Sequence, residues 1–419
     1  MSTLVSGQDA FIRVSGRQFL RNGQPYYFMG TNFWYGINLA ASGAAGDRDR
    51  LIRELDRLQE MGVSNLRIVA GSEGPDSEPW RMSPALQPEK GRYNPNLLDG
   101  LDFLLSEMGK RGMYAVVCLN NFWPWSGGMA QYLVWETGGR IPYPPPAEGG
   151  DWGTYQEFTT GFYRNEAAME AFDAHIRLLI GRQNPYTGRT YRDEPAIMAW
   201  ELANEPRAVQ EYEAYAAWIG RCASLIKTLD PNHLVTIGSE GRTSTKYAGT
   251  QFKKDHKIPG IDYSTIHIWV QNWEWFDPNR AQETYEDAVK KAIKYLKWHL
   301  KQSEALDMPM VLEEFGIGRD LDSYDPAAGT RVRDGYYEIM FSEVHRLAAA
   351  GRGVAGVNFW AWGGEGRPRA PKAVWQPGDD FTGDPPHEYQ GWYSIYDRDA
   401  STIEVIRRYA QLLSALPAR

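Results

Sequence analysis

Eight short apolar runs of strand type recur along the chain, separated by longer stretches with helical periodicity. That alternation limits the fold more than any single residue does. The runs are Tyr26–Asn32, Asn65–Ala70, Tyr114–Asn120, Ile197–Ala203, Leu234–Gly238, Tyr263–Ile268, Met310–Glu314 and Val354–Trp360. Between them, Asp47–Met61, Asn96–Arg111, Glu166–Ile180, Val209–Leu229, Thr284–Leu306 and Asp334–Ala350 read as helices, and Thr402–Leu416 closes the chain as another. Gly62 and Gly112 stand where helix C-caps want glycine, and Asp230-Pro231 stops a third helix. Strands this uniformly apolar are covered on both faces, as in parallel sheets wrapped by helices. The pattern predicts an α/β fold, a (β/α)8 TIM barrel. An open doubly wound sheet is disfavoured, because no phosphate-binding glycine loop follows the first strand. The Gly351-x-Gly353-x-x-Gly356 run precedes a strand instead of following one.

Phe11–Val14 and Arg17–Leu20 predict a small N-terminal hairpin around Ser15-Gly16, a lid on one end of the barrel. Trp123–Arg164, Ser239–Asp262 and Gly363–Tyr393 are long insertions, expected as loops on the face where the strands end. With no internal repeat and no low-complexity linker, residues 1–419 read as one catalytic domain.

Composition removes several function classes. A net charge of −8 argues against nucleic acid or an anionic membrane as partner. No apolar stretch approaches the ~18 residues a membrane span needs. Cys118 and Cys222 suggest no disulfide framework, and no HExxH motif, Cys/His cluster or calcium loop implies a metal or other cofactor. A Ser-His-Asp hydrolase would want a G-x-S-x-G elbow, which is missing. MSTLVSGQDAF has neither a basic start nor an apolar core, so the expected location is cytoplasmic, with a secreted or periplasmic one if a leader has been trimmed.

The chemistry gathers at the strand ends. The fourth run, IMAWELANEPR, ends in Asn204-Glu205-Pro206, and Pro206 cannot continue a ladder. Alone, Glu205 reads equally as a strand-end carboxylate or as a helix N-terminal charge with Pro206 in the first turn. The seventh run ends in Glu313-Glu314, read alone either as catalytic or as a buried ion pair. In a barrel these carboxylates share a rim with Glu205, the arrangement glycoside hydrolysis uses. Arg67 ends the second run and would hold a carboxylate ionised. Asn120-Asn121 with Trp123 and Trp125, His267 with Trp269, and Trp360 with Trp362 end others. Hydrogen-bonders and flat indole faces at strand ends describe a groove for a neutral polyhydroxylated ring.

The constellation resembles glycoside hydrolase family 5, specifically its β-mannan-degrading members. The resemblance runs from GTNFWYG at Gly30 to GWYSIYD ending at Asp397. It rests on NLRI around Arg67, LNNFWPWSGGMAQY from Leu119, ANEPR ending at Arg207, LEEFG ending at Gly316 and NFWAWGGEGR from Asn358. It implies Glu205 as general acid/base and Glu314 as nucleophile, with Glu313 pointing the other way because strand residues alternate faces. It implies Arg67 supporting the nucleophile, Asn204 on the sugar 2-hydroxyl, His267 near the acid/base and Trp360 under the sugar at the cleavage point. Asn121 and Trp123 would line neighbouring sugar sites. The family's usual Tyr two residues after the sixth-strand His is Trp269 here. Either its N–H takes the bond to the nucleophile or another Tyr does.

The resemblance implies a retaining hydrolase of β-1,4-mannosidic bonds, with β-mannan or manno-oligosaccharide as partner. Gly363–Tyr393 is rich in Pro and carries Trp375, Phe381, Tyr389 and Trp392. Walling off one end of the groove, it would favour an exo-acting β-mannosidase, with an endo-β-1,4-mannanase close behind. A β-1,4-glucanase on the same barrel and a non-catalytic sugar-binding barrel are the alternatives.

Overall fold

The computed structural model describes residues 11–243 and 246–417, so the leading stretch read above for a signal peptide lies outside it, apart from Phe11. The barrel strands are β1 (Phe28–Asn32), β2 (Asn65–Val69), β3 (Tyr114–Cys118), β4 (Ile197–Glu201), β5 (Leu234–Thr236), β6 (Ser264–Ile268), β7 (Met310–Phe315) and β8 (Val354–Phe359). They pair in parallel in the order β5-β4-β3-β2-β1-β8-β7-β6. The seam between β5 and β6 carries no regular ladder. It is bridged by Asp262 N–H to the Val235 carbonyl (2.9 Å), Thr265 Oγ1 to the Ser239 carbonyl (2.9 Å) and His267 N–H to the Glu240 carbonyl (3.1 Å). The (β/α)8 barrel is thus nearly closed.

The helices form because their apolar residues recur at helical spacing. Arg48–Glu60 buries Leu51, Leu55 and Leu58, and Asp47 caps it by accepting the Arg50 N–H at 2.8 Å. Pro95–Lys110 and Tyr212–Leu229 follow the same rule against the outer barrel. Inside the barrel, polarity changes from one end to the other. The N-terminal end is apolar, filled by Phe28, Val116, Met198, Val311 and Tyr263. The Phe28 ring fits only because residue 356 on β8 is glycine, whose absent Cβ would overlap it. The other end carries Arg67, Glu201, Glu313 and Glu314, all buried.

The hairpin forms as Arg13–Ser15 against Gln18–Arg21, gains a third strand at Gln24–Pro25, and lays Phe19 beneath the apolar end of the barrel. Trp123–Arg164 departs from the expected loop. It folds into helix Gly128–Thr137, which packs on Glu166–Gly181, and helix Trp152–Thr160, whose Tyr155 packs with Ala130 and Ile141. Gly363–Tyr393 contains no helix, yet it is fixed. Asp384 accepts the N–H groups of Gly391 (2.9 Å) and Tyr393 (2.6 Å), and Trp34 Nε1 donates to the Gly383 carbonyl at 3.0 Å.

Candidate active site

Past the end of β4 the backbone stays anchored to both neighbouring strands. Asn204 N–H bonds the Asn120 carbonyl and Glu205 N–H the Gly238 carbonyl, both at 2.9 Å. Residue 238 must be glycine, since a Cβ would collide with the Ala203 carbonyl and the Glu201 carboxylate. Glu205 itself has φ +48°, a left-handed conformation that costs a non-glycine residue ~1 kcal/mol or more. The next helix begins only at Tyr212. Glu205 is therefore not the N-terminal charge of a helix but a strand-end carboxylate locked over the barrel.

Three rings hold that carboxylate. His267 Nδ1 lies 2.6 Å from Oε1, Trp123 Nε1 donates to Oε2 at 2.6 Å, and Trp269 Nε1 makes a longer contact to Oε1 at 3.3 Å. Glu314, at the end of β7, reaches Arg67 Nη1 through Oε1 and lies 3.2 Å from His267 Nδ1 through Oε2. One oxygen of each glutamate and a ring nitrogen of His267 fall within 4.8 Å of one another.

The expectation that Glu313 points away from its neighbour is corrected. Its Oε2 sits 3.2 Å from His267 Nε2 and 3.6 Å from Arg67 Nε. The cause is a bulge: Leu312 pairs with Ile266 and Glu314 with His267, which leaves Glu313 as an extra residue and breaks the alternation of faces. Both glutamates consequently face the same cluster.

Arg67 supports more than the nucleophile candidate. Its strongest partner is Glu201, a buried carboxylate on β4 that the sequence reading passed over. It also donates to Asn204 Oδ1 at 2.8 Å and Asn32 Oδ1 at 3.0 Å. A lone acid in the otherwise apolar strand IMAWELA was the visible signal for Glu201. Asn121 does not reach the pocket. It stands one layer behind, accepting the Asn204 Nδ2–H at 3.1 Å. Trp269 does not replace the missing Tyr as a donor to Glu314, because its indole N–H faces Glu205; among the described residues no Tyr hydroxyl takes that bond either. Trp360 lies 4% exposed in the pocket lining, edge-on to Trp269 with ring centres 5.6 Å apart, and its Nε1 has no partner among the described residues.

Glu205, Glu314, Asn204, Trp123, Trp269 and Trp360 line a pocket of about 700 Å³, with Arg67, His267 and Glu313 behind them. Its wall comes partly from the Gly363–Tyr393 segment, which contributes Pro385, His387, Glu388 and Trp392. His387 and Trp152 both line the pocket and meet edge to face at 6.1 Å, so this segment touches the helix Trp152–Thr160. Among the described residues, Glu388 Oε2, His387 Nδ1 and Trp392 Nε1 have no protein partner. On the opposite side Arg207 pairs with Glu240 at 2.5 and 2.9 Å and lies over the Trp123 ring at 4.8 Å.

Charge crowding sets the protonation of the cluster. Burial would raise the Glu205 carboxyl, but the hydrogen bond and charge of His267, with Arg207 and Trp123 adding, outweigh it and hold it down at about 2. Burial pushes Glu314 up to about 8, and the Glu205 and Glu313 charges add to that push beyond what His267 and Arg67 recover. Burial would lower His267, but the surrounding Glu314, Glu205 and Glu313 raise it to about 10. Like charges this close do not both ionise freely, so of these two glutamates Glu205 is held toward its charged form and Glu314 toward its protonated form.

A family described as GH family 5 beta-mannosidase-like matches residues 9–417. A mannan endo-1,4-beta-mannosidase from Solanum lycopersicum is 31% identical over 371 residues, covering 85% of this chain and 81% of that one. A glycoside hydrolase family 5 mannosidase from Rhizomucor miehei superposes with a TM-score of 0.89 at 38% identity, covering 98% of this chain and 99% of the other. An endo-beta-1,4-mannanase from Thermotoga petrophila superposes with a TM-score of 0.67 at 26% identity, covering 94% and 78%.

Proposed function

The chain belongs to the β-mannosidase-like branch of glycoside hydrolase family 5, and from that premise we propose that it is a retaining, exo-acting β-mannosidase. It removes single mannose units from the ends of β-1,4-linked manno-oligosaccharides. Glu205 serves as general acid and then general base, and Glu314 as nucleophile.

The spacing of the two glutamates supports retention. Oxygens within 4.8 Å suit direct attack, whereas an inverting pair stands roughly 6.5–9.5 Å apart to admit a water. Glu314 attacks the anomeric carbon while Glu205 gives its proton to the leaving oxygen. A water deprotonated by Glu205 then releases the sugar from Glu314 on the same face. Arg67 favours the charged form of Glu314, Asn204 offers an amide to the sugar, and Trp360 supplies a flat apolar face beneath it.

The observation that carries the exo reading is the Trp152–His387 contact, which joins two insertions that both line the pocket. On this reading the contact closes one end and stops a chain of sugars from threading past. Glu388 Oε2, His387 Nδ1 and Trp392 Nε1, without partners among the described residues, would meet the hydroxyls of a terminal sugar. The test is the first few per cent of mannohexaose turnover. Mannose with mannopentaose is expected. A spread of mannobiose, mannotriose and mannotetraose would mean an open groove and endo action, and cleavage of cellohexaose instead would overturn the mannoside assignment.

A further inference from the structure

We propose that Asn121 is a positioning residue for the reaction: its side-chain carbonyl sets both Trp123, which holds Glu205, and the Asn204 amide that meets the sugar. The inference rests on the roles given above to Glu205 and Asn204.

One buried oxygen serves two groups. Asn121 Oδ1 accepts the backbone N–H of Trp123 at 3.0 Å and the Asn204 Nδ2–H at 3.1 Å. Asn121 Nδ2 donates to Ser126 Oγ at 3.1 Å, and the residue is fully buried. Any partners would satisfy a buried amide. Both partners of this oxygen belong to residues that line the pocket. Trp123 carries the effect outward, since its Nε1 donates to Glu205 Oε2 at 2.6 Å.

The orientation of the two amides is fixed from both ends by groups that can only donate. The Trp123 backbone N–H faces Asn121, so the atom it meets is the oxygen. The Arg67 guanidinium faces Asn204 at 2.8 Å, so the atom it meets is the Asn204 oxygen. The Asn204 nitrogen is thereby turned to Asn121, which takes one of its two hydrogens and leaves the other for the pocket. Without the Asn121 oxygen, the Asn204 amide keeps only its Arg67 end and can swing.

The backbone holds Asn121 still. It forms a parallel bridge with Asn204, Phe122 N–H bonds the Asn204 carbonyl at 3.0 Å, and the Asn121 carbonyl accepts the Met129 N–H at 2.9 Å. Residue 128 must be glycine, because its φ is +62° and a Cβ there would overlap the Asn121 carbonyl.

The experiment uses three substrates that need the two arms differently. It reads kcat/KM, which reports glycosylation and not release. Mannobiose needs both the acid and the amide. 2,4-dinitrophenyl β-mannoside has a leaving group that departs unprotonated and needs only the amide. Its 2-deoxy analogue needs neither. Asn121→Leu is expected to lose about 100-fold on the first, about tenfold on the second and less than about threefold on the third. Equal losses on all three would mean general disorder and overturn the proposal, as would wild-type turnover of mannobiose. Asn121→Asp keeps the accepting oxygen, and the Ser126 hydroxyl can turn to donate to it. It should hold mannobiose turnover within about tenfold of wild type. A loss of about 100-fold there would overturn the proposal, even if Asn121→Leu does not fold.

Two controls separate this inference from the reading beneath it. Glu205→Ala must lose more on mannobiose than on the dinitrophenyl mannoside, and Asn204→Ala more on that mannoside than on its 2-deoxy analogue. Failure of either control overturns the role of Glu205 or Asn204, and this inference with it. Both controls splitting while Asn121→Leu loses equally refutes this inference alone.

Discussion

Arg67 meets Glu201 in a two-pronged ion pair, Nη2 to Oε1 at 2.5 Å and Nε to Oε2 at 2.9 Å, and turns only Nη1 toward Glu314. The arginine is thus shared between a carboxylate that has no place in the proposed chemistry and one that attacks. Burial keeps Glu314 high, and a guanidinium shared in this way does not cancel that push. Sharing also makes Arg67 a structural keystone. Arg67→Met leaves Glu201 buried without its counter-charge and is expected to destabilise the fold by about 3–5 kcal/mol, measured by urea unfolding. Arg67→Met/Glu201→Leu should recover much of that loss without recovering activity. Full activity in the double variant would show that Arg67 does not support Glu314.

The acid/base assignment is tested by chemical rescue. Glu205→Ala should lower mannobiose turnover by about 10²–10⁴-fold. Added azide should restore turnover of an activated aryl β-mannoside and yield β-mannosyl azide, because the small anion takes the space of the lost carboxylate. An α-azide product, or no rescue, would argue against the role.

The pH dependence has a definite sign. The pair holds one proton until pH rises through about 8, where Glu314 loses it in the free enzyme. Mannobiose needs that proton for its leaving group, so its kcat/KM should fall above pH ~8, the pKa of the pair. 2,4-dinitrophenyl β-mannoside needs only an ionised Glu314, so its glycosylation rate should rise as pH approaches the same value. Parallel profiles for the two substrates would contradict the assignment.

Acid should unfold the protein through buried histidines outside the catalytic pair. Burial lowers His175 and His256 to about 4 and His299 to about 3, so the native state refuses protons that the unfolded chain accepts below about 6.5. Stability is therefore present above pH ~6.5 and is lost as pH falls toward 4, by about 1.4 kcal/mol per histidine per pH unit. Urea midpoints at pH 7, 6 and 5 measure it, and a flat series would exclude this account.

The wall of the pocket can be opened by one truncation. Trp152 is 37% exposed, so Trp152→Ala should change stability little. It removes the contact with His387 and should let mannobiose and mannotriose appear among the early products of mannohexaose. An unchanged product pattern would mean that the wall does not set exo action.

What the sequence made legible followed from the barrel itself. Glu205, Glu314, Arg67 and His267 each stand at a strand end, and a parallel barrel brings strand ends onto one rim, so their meeting could be read from position alone. Trp123 and Trp360 were legible in the same way. The Glu313 bulge was not, because the alternation rule gives the opposite answer and nothing in LEEF marks an extra residue. Asn121 was misread as lining because sequence places it at the rim without showing that Asn204 stands in front of it. The Trp152–His387 contact joins two insertions distant in the chain, and no periodicity links such pieces. Glu201 lay in plain view, but an acid inside a strand gains meaning only when its partner is known.

The central claim is that Glu314 forms a covalent bond to the sugar during a retaining reaction. Incubation with 2-deoxy-2-fluoro-β-mannosyl fluoride should trap that intermediate, since the fluorine slows its breakdown more than its formation. Peptide mapping by mass spectrometry should then find one added 2-fluoromannosyl group on the peptide bearing Glu314. The unlabelled substrate should release β-mannose first. A label on another residue, or α-mannose as the initial product, would contradict the account.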